Sequence, residues 1–126
     1  MTRGTVSHQF GQSSERLAEQ FLVSKGYRII ERNLRTSLGE LDLVAEDGNV
    51  LVFVEVKGRT TEAFGGARLA VDQRKQHKLI QLASQYLAQR HLSDKACRFD
   101  VVLVQGDSLP KGKVEHLENA FEVVDR

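Results

Sequence analysis

The sequence predicts an α/β domain in which a mixed sheet is flanked by helices, and three patterns in its 126 residues indicate that class. Two segments carry apolar residues at the spacing of an amphipathic helix. Between them, two segments of alternating polarity flank an Asp-Gly-Asn turn, which is typical of a β-hairpin. A Val-rich segment follows the second helix and predicts a further strand. Strands enclosed by helices in this order form a sheet with helical cover.

The first helix is predicted over residues 7–25. Its apolar stripe consists of Leu17, Ala18, Phe21 and Leu22. Gly26 follows at the position where a glycine commonly ends a helix. Residues 27–35 then form the predicted first strand, whose apolar part is Tyr27, Ile29 and Ile30.

The hairpin joins residues 38–46 to residues 50–57, and its register depends on the turn. A Gly48-Asn49 loop places Asp42 directly opposite Glu55, where Cβ atoms stand about 4.5–5.5 Å apart. An Asp47-Gly48 loop places Glu40 opposite Glu55 instead. Both registers leave the carboxylates on one face, because side chains alternate with a period of two residues.

The two faces of this hairpin are predicted to differ. One face is apolar throughout and consists of Leu41, Leu43, Ala45, Val52, Val54 and Val56. The other is apolar near the turn and charged at its far end, where Glu40, Asp42, Glu55 and Lys57 lie. In a sheet covered on both sides, neighbouring carboxylates repel each other and lose hydration. A hard divalent cation relieves both effects, so the pattern favours a Mg²⁺ site, with Mn²⁺ as the alternative metal. The competing interpretation is a surface hairpin with solvated Glu–Lys pairs.

Glu15 is a candidate third carboxylate, supplied by the first helix. It shares a helical face with Ala18 and Leu22, and therefore lies at the margin of the buried stripe, facing the sheet. The alternative is an exposed Glu that pairs with its neighbours on the helix. Lys57 lies two residues after Glu55 on the same face of its strand. An ammonium there would stabilise the charge that develops on a phosphate in the transition state.

The second helix is predicted over residues 66–89, with a core stripe of Leu79, Leu82, Ala83, Tyr86 and Leu87. Its first half is basic, which opposes the helix dipole unless an anion binds there. Lys75 is in line with the core stripe, so its ammonium is expected to reach toward the carboxylates. Arg59 and Arg68 are further candidates for phosphate contacts, and a solvated charged face is the alternative for each. Residues 98–105 form the Val-rich strand, and residues 113–117 form a last strand.

Composition and charge set limits on partner and compartment. The net charge of +1 neither favours nor excludes a nucleic acid. Cys97 is the only cysteine, so an intramolecular disulfide is impossible and the cytoplasm is the expected compartment. The polar N-terminal segment does not resemble a signal peptide, and no apolar run is long enough to cross a membrane. No segment has the composition of a linker, so residues 1–126 are predicted to form a single domain.

Four sequence blocks together carry a resemblance to a known family. They are Ser14-Glu15-Arg16-Leu17-Ala18, Gly39-Glu40-Leu41-Asp42-Leu43-Val44-Ala45, Val52-Phe53-Val54-Glu55-Val56-Lys57-Gly58-Arg59 and Arg98-Phe99-Asp100-Val101-Val102. These blocks resemble the YraN-like family of small bacterial proteins. That family is similar to the archaeal Holliday-junction resolvases, which belong to the PD-(D/E)xK nuclease superfamily.

The resemblance implies a restriction-endonuclease-like fold with the element order αβββαβ. It also implies that the metal and catalytic motif consists of Asp42, Glu55 and Lys57, with Glu15 as a further acidic ligand and Arg16 beside it as a DNA contact. Leu41 stands where the superfamily motif has a proline, and Ser14 stands where the family favours glycine. Glu40 is a feature of the family alone, and its role stays open.

The function implied by the resemblance is that of a Mg²⁺-dependent, structure-specific endonuclease that hydrolyses phosphodiesters in DNA, with branched or junction DNA favoured. Symmetric cutting of a junction requires two sites, which favours a homodimer. The alternative is a non-catalytic nucleic-acid-binding module that retains the nuclease scaffold. A third interpretation is a protein-interaction domain with an ordinary charged surface.

Overall fold

The computed structural model describes residues 6–59, 72–105 and 113–121, with side chains from residue 14 onward except those of residues 59 and 113. Helix α1 spans Val6–Ser24 and precedes three strands, β1 Arg28–Thr36, β2 Gly39–Asp47 and β3 Val50–Arg59. Helix α2 spans Gln73–Gln89, and strands β4 Cys97–Gln105 and β5 Lys113–Phe121 follow it. The predicted order αβββαβ is confirmed, and β5 is the last strand that the sequence predicted, extended to Phe121.

The five strands form one sheet in the order β1-β2-β3-β4-β5. Neighbouring strands are antiparallel except for β3 and β4, which run parallel to each other. A parallel pair needs a long crossover connection, and α2 lies in that connection. The mixed sheet with its two helices confirms the predicted α/β class.

Two apolar clusters cover opposite faces of the sheet. The cluster that includes α1 contains Ala18, Leu22, Tyr27, Leu43, Ala45, Val52, Val54, Val56, Val102 and Val104. The cluster that includes α2 contains Leu41, Val44, Leu51, Phe53, Leu79, Leu82, Ala83, Tyr86, Leu87, Phe99, Val101 and Leu103. Successive residues of β3 and β4 belong alternately to the two clusters, so both faces of these central strands are buried. A charged side chain on either strand therefore loses its hydration, and two such residues are buried, Glu55 and Asp100.

The core stripe predicted for α2 is confirmed, but the helix begins at Gln73 rather than at residue 66. Asp72 caps it from an extended backbone conformation, and its Oδ1 accepts a hydrogen bond of 2.9 Å from the backbone N–H of Lys75. An aspartate at this position satisfies an N–H that has no partner within the helix. Residues 66–71 lie outside the described residues.

One expectation about the hairpin is wrong: Leu41 does not share a face with Leu43. Leu41 packs in the α2 cluster, whereas Leu43 packs in the α1 cluster. The change of face occurs at Asp42, which lies beside Asn33 of β1, and Asn33 has a φ of 53°. Asparagine tolerates this left-handed conformation better than most residues, and it interrupts the regular alternation of both strands. Asp42 consequently lies at the boundary between the two layers.

Neither of the two helices in the described part of the chain is long and apolar enough to span a membrane. Cys97, the only cysteine in the sequence, has an exposed, free thiol at the start of β4.

Candidate functional site

The turn between β2 and β3 determines where the acidic side chains meet. The observed register is the one in which Gly48-Asn49 forms the loop, and its described pairs extend to Leu43 opposite Val54. Gly48 has a φ of 62°, which glycine adopts without strain. Of the two predicted registers, the first is therefore confirmed. Asp42 and Glu55 follow the last of these pairs at the end of the hairpin away from the turn, and the charge of Glu55 raises the pKa of Asp42.

Asp42 connects three elements of the fold. Its Oδ2 accepts a hydrogen bond of 2.7 Å from the backbone N–H of Val56 in β3, and its carboxyl group shares a hydrogen bond with Glu15 of α1. The alternative in which Glu15 is an exposed helical residue is therefore wrong, since the side chain faces the sheet.

The site holds more negative charge than its surroundings neutralise. Burial, together with the charges of Glu55 and Glu15, raises the pKa of Asp42 to about 7. Burial and the charges of Glu40 and Glu55 also raise the pKa of Glu15 above its usual range, although the hydrogen bond with Asp42 acts in the opposite direction. Buried carboxyl groups whose pKa values are raised by neighbouring negative charge are groups at which a metal cation can replace a proton.

Glu55 is the most deeply buried of these acids, and two lysines contact it. Its side chain is 6% exposed, and its Oε2 lies 2.9 Å from Nζ of Lys75 and 3.6 Å from Nζ of Lys57. Lys57 comes from the same strand, as the sequence predicted, and Lys75 comes from the first turn of α2. The charged side chains therefore meet where β3, β2 and both helices adjoin.

Lys75 is held more tightly to Glu55 than the sequence alone could indicate. Burial lowers the pKa of Lys75, but the hydrogen bond to Glu55 and the charges of Glu55 and Asp42 outweigh this effect and raise it above its usual value. The ammonium is thus firmly protonated and supplies the positive charge nearest to Glu55.

A polar groove adjoins the site on the α1 side of the sheet. It has a volume of about 490 Å³ and is lined by Glu15, Arg16, Glu19, Gln20, Arg32, Asn33 and Leu43. Arg16 is exposed, so its guanidinium is accessible from this groove, and Arg32 is bound by Glu19 through Nε at 2.9 Å and through Nη2. Arg16 and Arg32 therefore line the same groove as Glu15.

Glu40 lies outside the buried part of the site. It pairs across the sheet with Arg35 of β1, and its Oε2 lies 3.4 Å from Nε of that arginine. Its side chain is about half exposed, but its charge contributes to the raised pKa of Glu15. Glu40 therefore modifies the electrostatics of the site from its rim.

The remaining predicted contacts are not located by the structure. The side chain of Arg59 and the whole of Arg68 lie outside the described residues. The predictions that these two arginines contact phosphates stay predictions.

The residues present fit a hard divalent cation in their chemistry, although they do not form a complete set of ligands. Among the described residues, no three His, Cys, Asp or Glu side chains stand together in a geometry ready to hold a metal ion. The charge of Glu55 nevertheless raises the pKa values of both Glu15 and Asp42, so the three carboxyl groups from α1, β2 and β3 are close enough to interact. They offer only oxygen donors, which Mg²⁺ and Mn²⁺ prefer. The positive charge nearest to them in the described residues comes from the ammonium groups of Lys75 and Lys57, at 2.9 Å and 3.6 Å from Oε2 of Glu55.

Sequence reasoning missed a second group of buried polar side chains, centred on Asp100 of β4. Asp100 accepts hydrogen bonds from Nε of Arg98 at 3.0 Å, Nε2 of His116 at 2.7 Å and the backbone N–H of Asn119 at 2.9 Å. Nζ of Lys25 lies 2.8 Å from Nδ1 of His116. Because an ammonium can only donate, Nδ1 accepts and Nε2–H donates to Asp100. The available signal was a charged residue, Asp100, within a run of Val and Phe.

This second group is electrostatically balanced. Burial raises the pKa of Asp100, but the hydrogen bonds from His116, Arg98 and Asn119 outweigh burial and hold the pKa below its usual range. The Arg98 guanidinium also donates to Asp47 at 3.1 Å and to the hydroxyl group of Tyr27. These contacts tie β4 to β5, to the hairpin turn and to the end of α1, which is a structural role.

Comparison with known proteins agrees with the sequence resemblance. A protein from Symbiobacterium thermophilum described as UPF0102 protein STH1475 is 45% identical over 116 residues, covering 92% of this chain and 98% of its own. A UPF0102 protein from Desulfosudis oleivorans is 44% identical over 114 residues, covering 90% of each chain.

A solved structure of Pyrococcus furiosus SfsA in complex with Ca²⁺ shows a distant likeness, with a TM-score of 0.39 and 17% identity. The match covers 93% of this chain and 65% of that chain. It is too distant to carry an argument about function.

The model of the family described as "Uncharacterised protein family UPF0102" matches residues 14–104, a range that contains the whole acidic site together with Arg98 and Asp100. The predicted YraN-like resemblance is thereby confirmed, and the chain belongs to the UPF0102 family.

Proposed function

We propose that this protein is a Mg²⁺-dependent endodeoxyribonuclease that recognises the structure of its substrate, with branched or junction DNA as the favoured class. The observation that carries the proposal is the convergence of Glu15, Asp42 and Glu55 from α1, β2 and β3 beside the ammonium groups of Lys57 and Lys75. Acidic oxygens next to fixed cations suit the hydrolysis of a phosphodiester, which needs both metal ligands and stabilisation of developing negative charge.

Asp42, Glu55 and Glu15 would hold the divalent cation. When bound, Mg²⁺ supplies a Lewis acid for a phosphate oxygen and lowers the pKa of a water molecule. The N–H of Val56 fixes the Asp42 carboxyl group in place, so this ligand is oriented before any cation arrives. Because the pKa values of Glu15 and Asp42 are both raised, cation binding would compete with protonation at these groups and would strengthen as pH rises.

Lys57 would act on the substrate. Its side chain is 32% exposed, so the ammonium can reach a phosphate at the surface while it stays near Glu55. From there it donates to the phosphoryl oxygen on which negative charge develops. Arg16, in the adjoining groove, would contact the backbone of the same strand, and this contact sets position rather than sequence.

The preference for branched DNA and the homodimer rest on the resemblance to junction resolvases. Contacts to the phosphate backbone report the path of the strands rather than the base sequence. Cutting both strands of a junction requires two such sites, which a pair of identical chains would provide.

A second candidate function is a nucleic-acid-binding module without catalysis. It is favoured by the ion pairs of Glu55, because Lys75 and Lys57 already neutralise this carboxylate. In this case binding would depend on salt through phosphate contacts, and divalent cations would leave the DNA unchanged.

The test is cleavage of labelled single-stranded, duplex, splayed and four-way DNA in Mg²⁺, Mn²⁺ or EDTA. Wild type is compared with Lys57→Ala and with the matched control Lys95→Ala, whose ammonium lies 3.9 Å from Glu46 near the opposite end of the hairpin. We expect metal-dependent cutting of a branched substrate that falls by at least ~100-fold in Lys57→Ala and is retained in Lys95→Ala. Binding without cutting in every metal would replace the nuclease proposal with the binding module.

A further inference from the structure

We propose that Lys75 stands in for the divalent cation while no substrate is bound, and that a substrate phosphate draws its ammonium away from Glu55. Phosphate and cation would then enter the site together rather than independently. The inference rests on the proposed function and adds a positioning role for Lys75, which the sequence placed near the carboxylates as a candidate DNA contact.

The first argument is the position of the ammonium. Nζ of Lys75 and Nζ of Lys57 approach the same atom, Oε2 of Glu55, but Lys75 is the closer, at 2.9 Å against 3.6 Å. Glu55 is 6% exposed, so little of its carboxylate is left for a third cation. A metal ion that uses this oxygen must displace Lys75.

The second argument is that the charge of Lys75 acts on two carboxyl groups. The charge of Lys75 acts on Asp42 as well as on Glu55. It lowers the pKa of Asp42, which the charges of Glu55 and Glu15 raise. A single ammonium therefore compensates two carboxyl groups from two strands. A bound divalent cation would have the same two neighbours and twice the charge.

The third argument is that the side chain of Lys75 can move while its backbone stays in place. The backbone of Lys75 is held in the first turn of α2 by the cap from Asp72, whereas its side chain is 40% exposed on a flexible stem. It also lines a groove of about 250 Å³ with Lys78, Gly39 and Glu40. The ammonium can therefore turn from Glu55 toward a phosphate in this groove without any change in the helix.

The proposed exchange has two steps, the movement of Lys75 from Glu55 to a phosphate and the binding of a cation at Glu55, and each step is unfavourable alone. Moving Lys75 to a phosphate without a replacement leaves Glu55 as a buried carboxylate with weaker compensation. Adding a cation while Lys75 remains places like charges side by side. When both occur together each charge regains a partner, so the two binding events are coupled through Lys75.

The first test measures Mg²⁺ binding without DNA by calorimetry, in wild type, Lys75→Met and the matched control Lys78→Met. Lys78 lines the same groove one turn further along α2 and is exposed. We expect Lys75→Met to bind Mg²⁺ about tenfold more tightly than wild type, and Lys78→Met to resemble wild type. Melting midpoints check the fold: the metal-free midpoint should fall in Lys75→Met, and the rise caused by Mg²⁺ should be larger than in wild type.

Lys75→Gln provides a second variant, since it keeps a neutral donor for Glu55 and should shift Mg²⁺ affinity in the same direction. If the folded Lys75 variants bound Mg²⁺ as tightly as wild type or more weakly, the inference would be wrong, but the proposed cation site would still be supported. Absence of Mg²⁺ binding in wild type and in every variant would instead remove the proposed function, and the inference with it.

The phosphate half is tested by DNA affinity in EDTA and in Ca²⁺ at constant ionic strength, for wild type and Lys75→Met. We expect Ca²⁺ to tighten DNA binding of wild type by about tenfold more than that of the variant. If Ca²⁺ increased the DNA affinity of wild type and of Lys75→Met by the same factor, the proposed exchange at Lys75 would be wrong.

Discussion

Two groups of acidic side chains lie against the same sheet, and they differ in how their charge is balanced. Asp100 is completely buried and receives hydrogen bonds from Arg98, His116 and a backbone N–H, and its pKa lies below the usual range. Asp42 faces other acids, and its pKa rises to about 7. Burial alone therefore does not distinguish a structural acid from a functional one.

The two groups differ in whether hydrogen-bond donors and positive charges compensate their acids. The Asp100 group is complete without any ligand, because every polar contact within it pairs a donor with an acceptor. In the acidic site, two lysines contact Glu55, whereas burial and neighbouring acids raise the pKa values of Asp42 and Glu15. This site therefore remains dominated by carboxyl oxygens. A cluster with perturbed pKa values and spare acceptors is the kind of place where a ligand supplies the missing charge.

The largest effect on stability should come from the balanced group. Asp100→Ala removes the partner of Arg98 and His116 and leaves the Arg98 guanidinium with one fewer buried counter-ion, so we expect a loss of about 3 kcal/mol of unfolding free energy. Urea denaturation measures it. A change below about 1 kcal/mol would show that the group is not the structural anchor described here.

The acidic site should respond in the opposite direction. Asp42→Asn keeps an acceptor for the Val56 N–H and a donor for Glu15 but removes a charge that its neighbours oppose. We expect a gain of about 1 kcal/mol in EDTA at neutral pH, together with loss of cleavage. If Asp42→Asn destabilises the metal-free protein as much as Asp100→Ala does, the contrast between the two groups is wrong.

The pH dependence of stability gives the two groups opposite slopes. The raised pKa of Asp42 means that the folded state retains its proton longer than the unfolded chain does, so this group lowers stability as pH rises from about 4 to about 7. The lowered pKa of Asp100 means that its contribution is complete above the unfolded pKa and is lost as pH falls through the folded pKa.

Denaturation at several pH values in EDTA separates the two slopes. The advantage of Asp42→Asn over wild type should grow between about pH 4 and pH 7, and the deficit of Asp100→Asn should shrink in stronger acid. Parallel stability profiles for wild type and both variants would remove the electrostatic explanation.

The smallest effect is expected at the margin of the acidic site. The hydroxyl oxygen of Ser14 is buried and has no hydrogen-bond partner among the described residues. Ser14→Ala should therefore raise the unfolding free energy by up to about 1 kcal/mol, as measured by thermal denaturation with Ser24→Ala as a control, since Ser24 donates to the carbonyl oxygen of Phe21. A clear loss of stability would mean that the Ser14 hydroxyl has a partner.

Much of the acidic site could be predicted from the sequence because its geometry is local. The turn left two hairpin registers open, but in both of them a period of two residues places Glu55 and Lys57 on one face. Helical spacing put Glu15 at the margin of a buried stripe, with an exposed position as the alternative, and put Lys75 in line with the core stripe of α2. These inferences depend only on residues close together in the chain.

The features that sequence reasoning missed depend on non-local or irregular geometry. The left-handed backbone at Asn33 sends Leu41 and Leu43 to opposite layers, and no alternation pattern reveals it. The Asp100 group needs His116 from β5, whose pairing with β4 contains an irregularity between Phe99 and Val101. Partners brought together across a sheet in this way cannot be read from spacing.

The measurement that tests the central claim most directly is the melting midpoint as a function of Mg²⁺ concentration, in wild type, Asp42→Asn and the matched control Glu46→Gln. Glu46 lies on the same strand and pairs with Arg28 at the other end of the hairpin. We predict that Mg²⁺ raises the midpoint of wild type and Glu46→Gln by mass action and has no effect on Asp42→Asn. A wild-type midpoint that does not change with Mg²⁺, or that changes equally in Asp42→Asn, would contradict a cation site at these carboxylates.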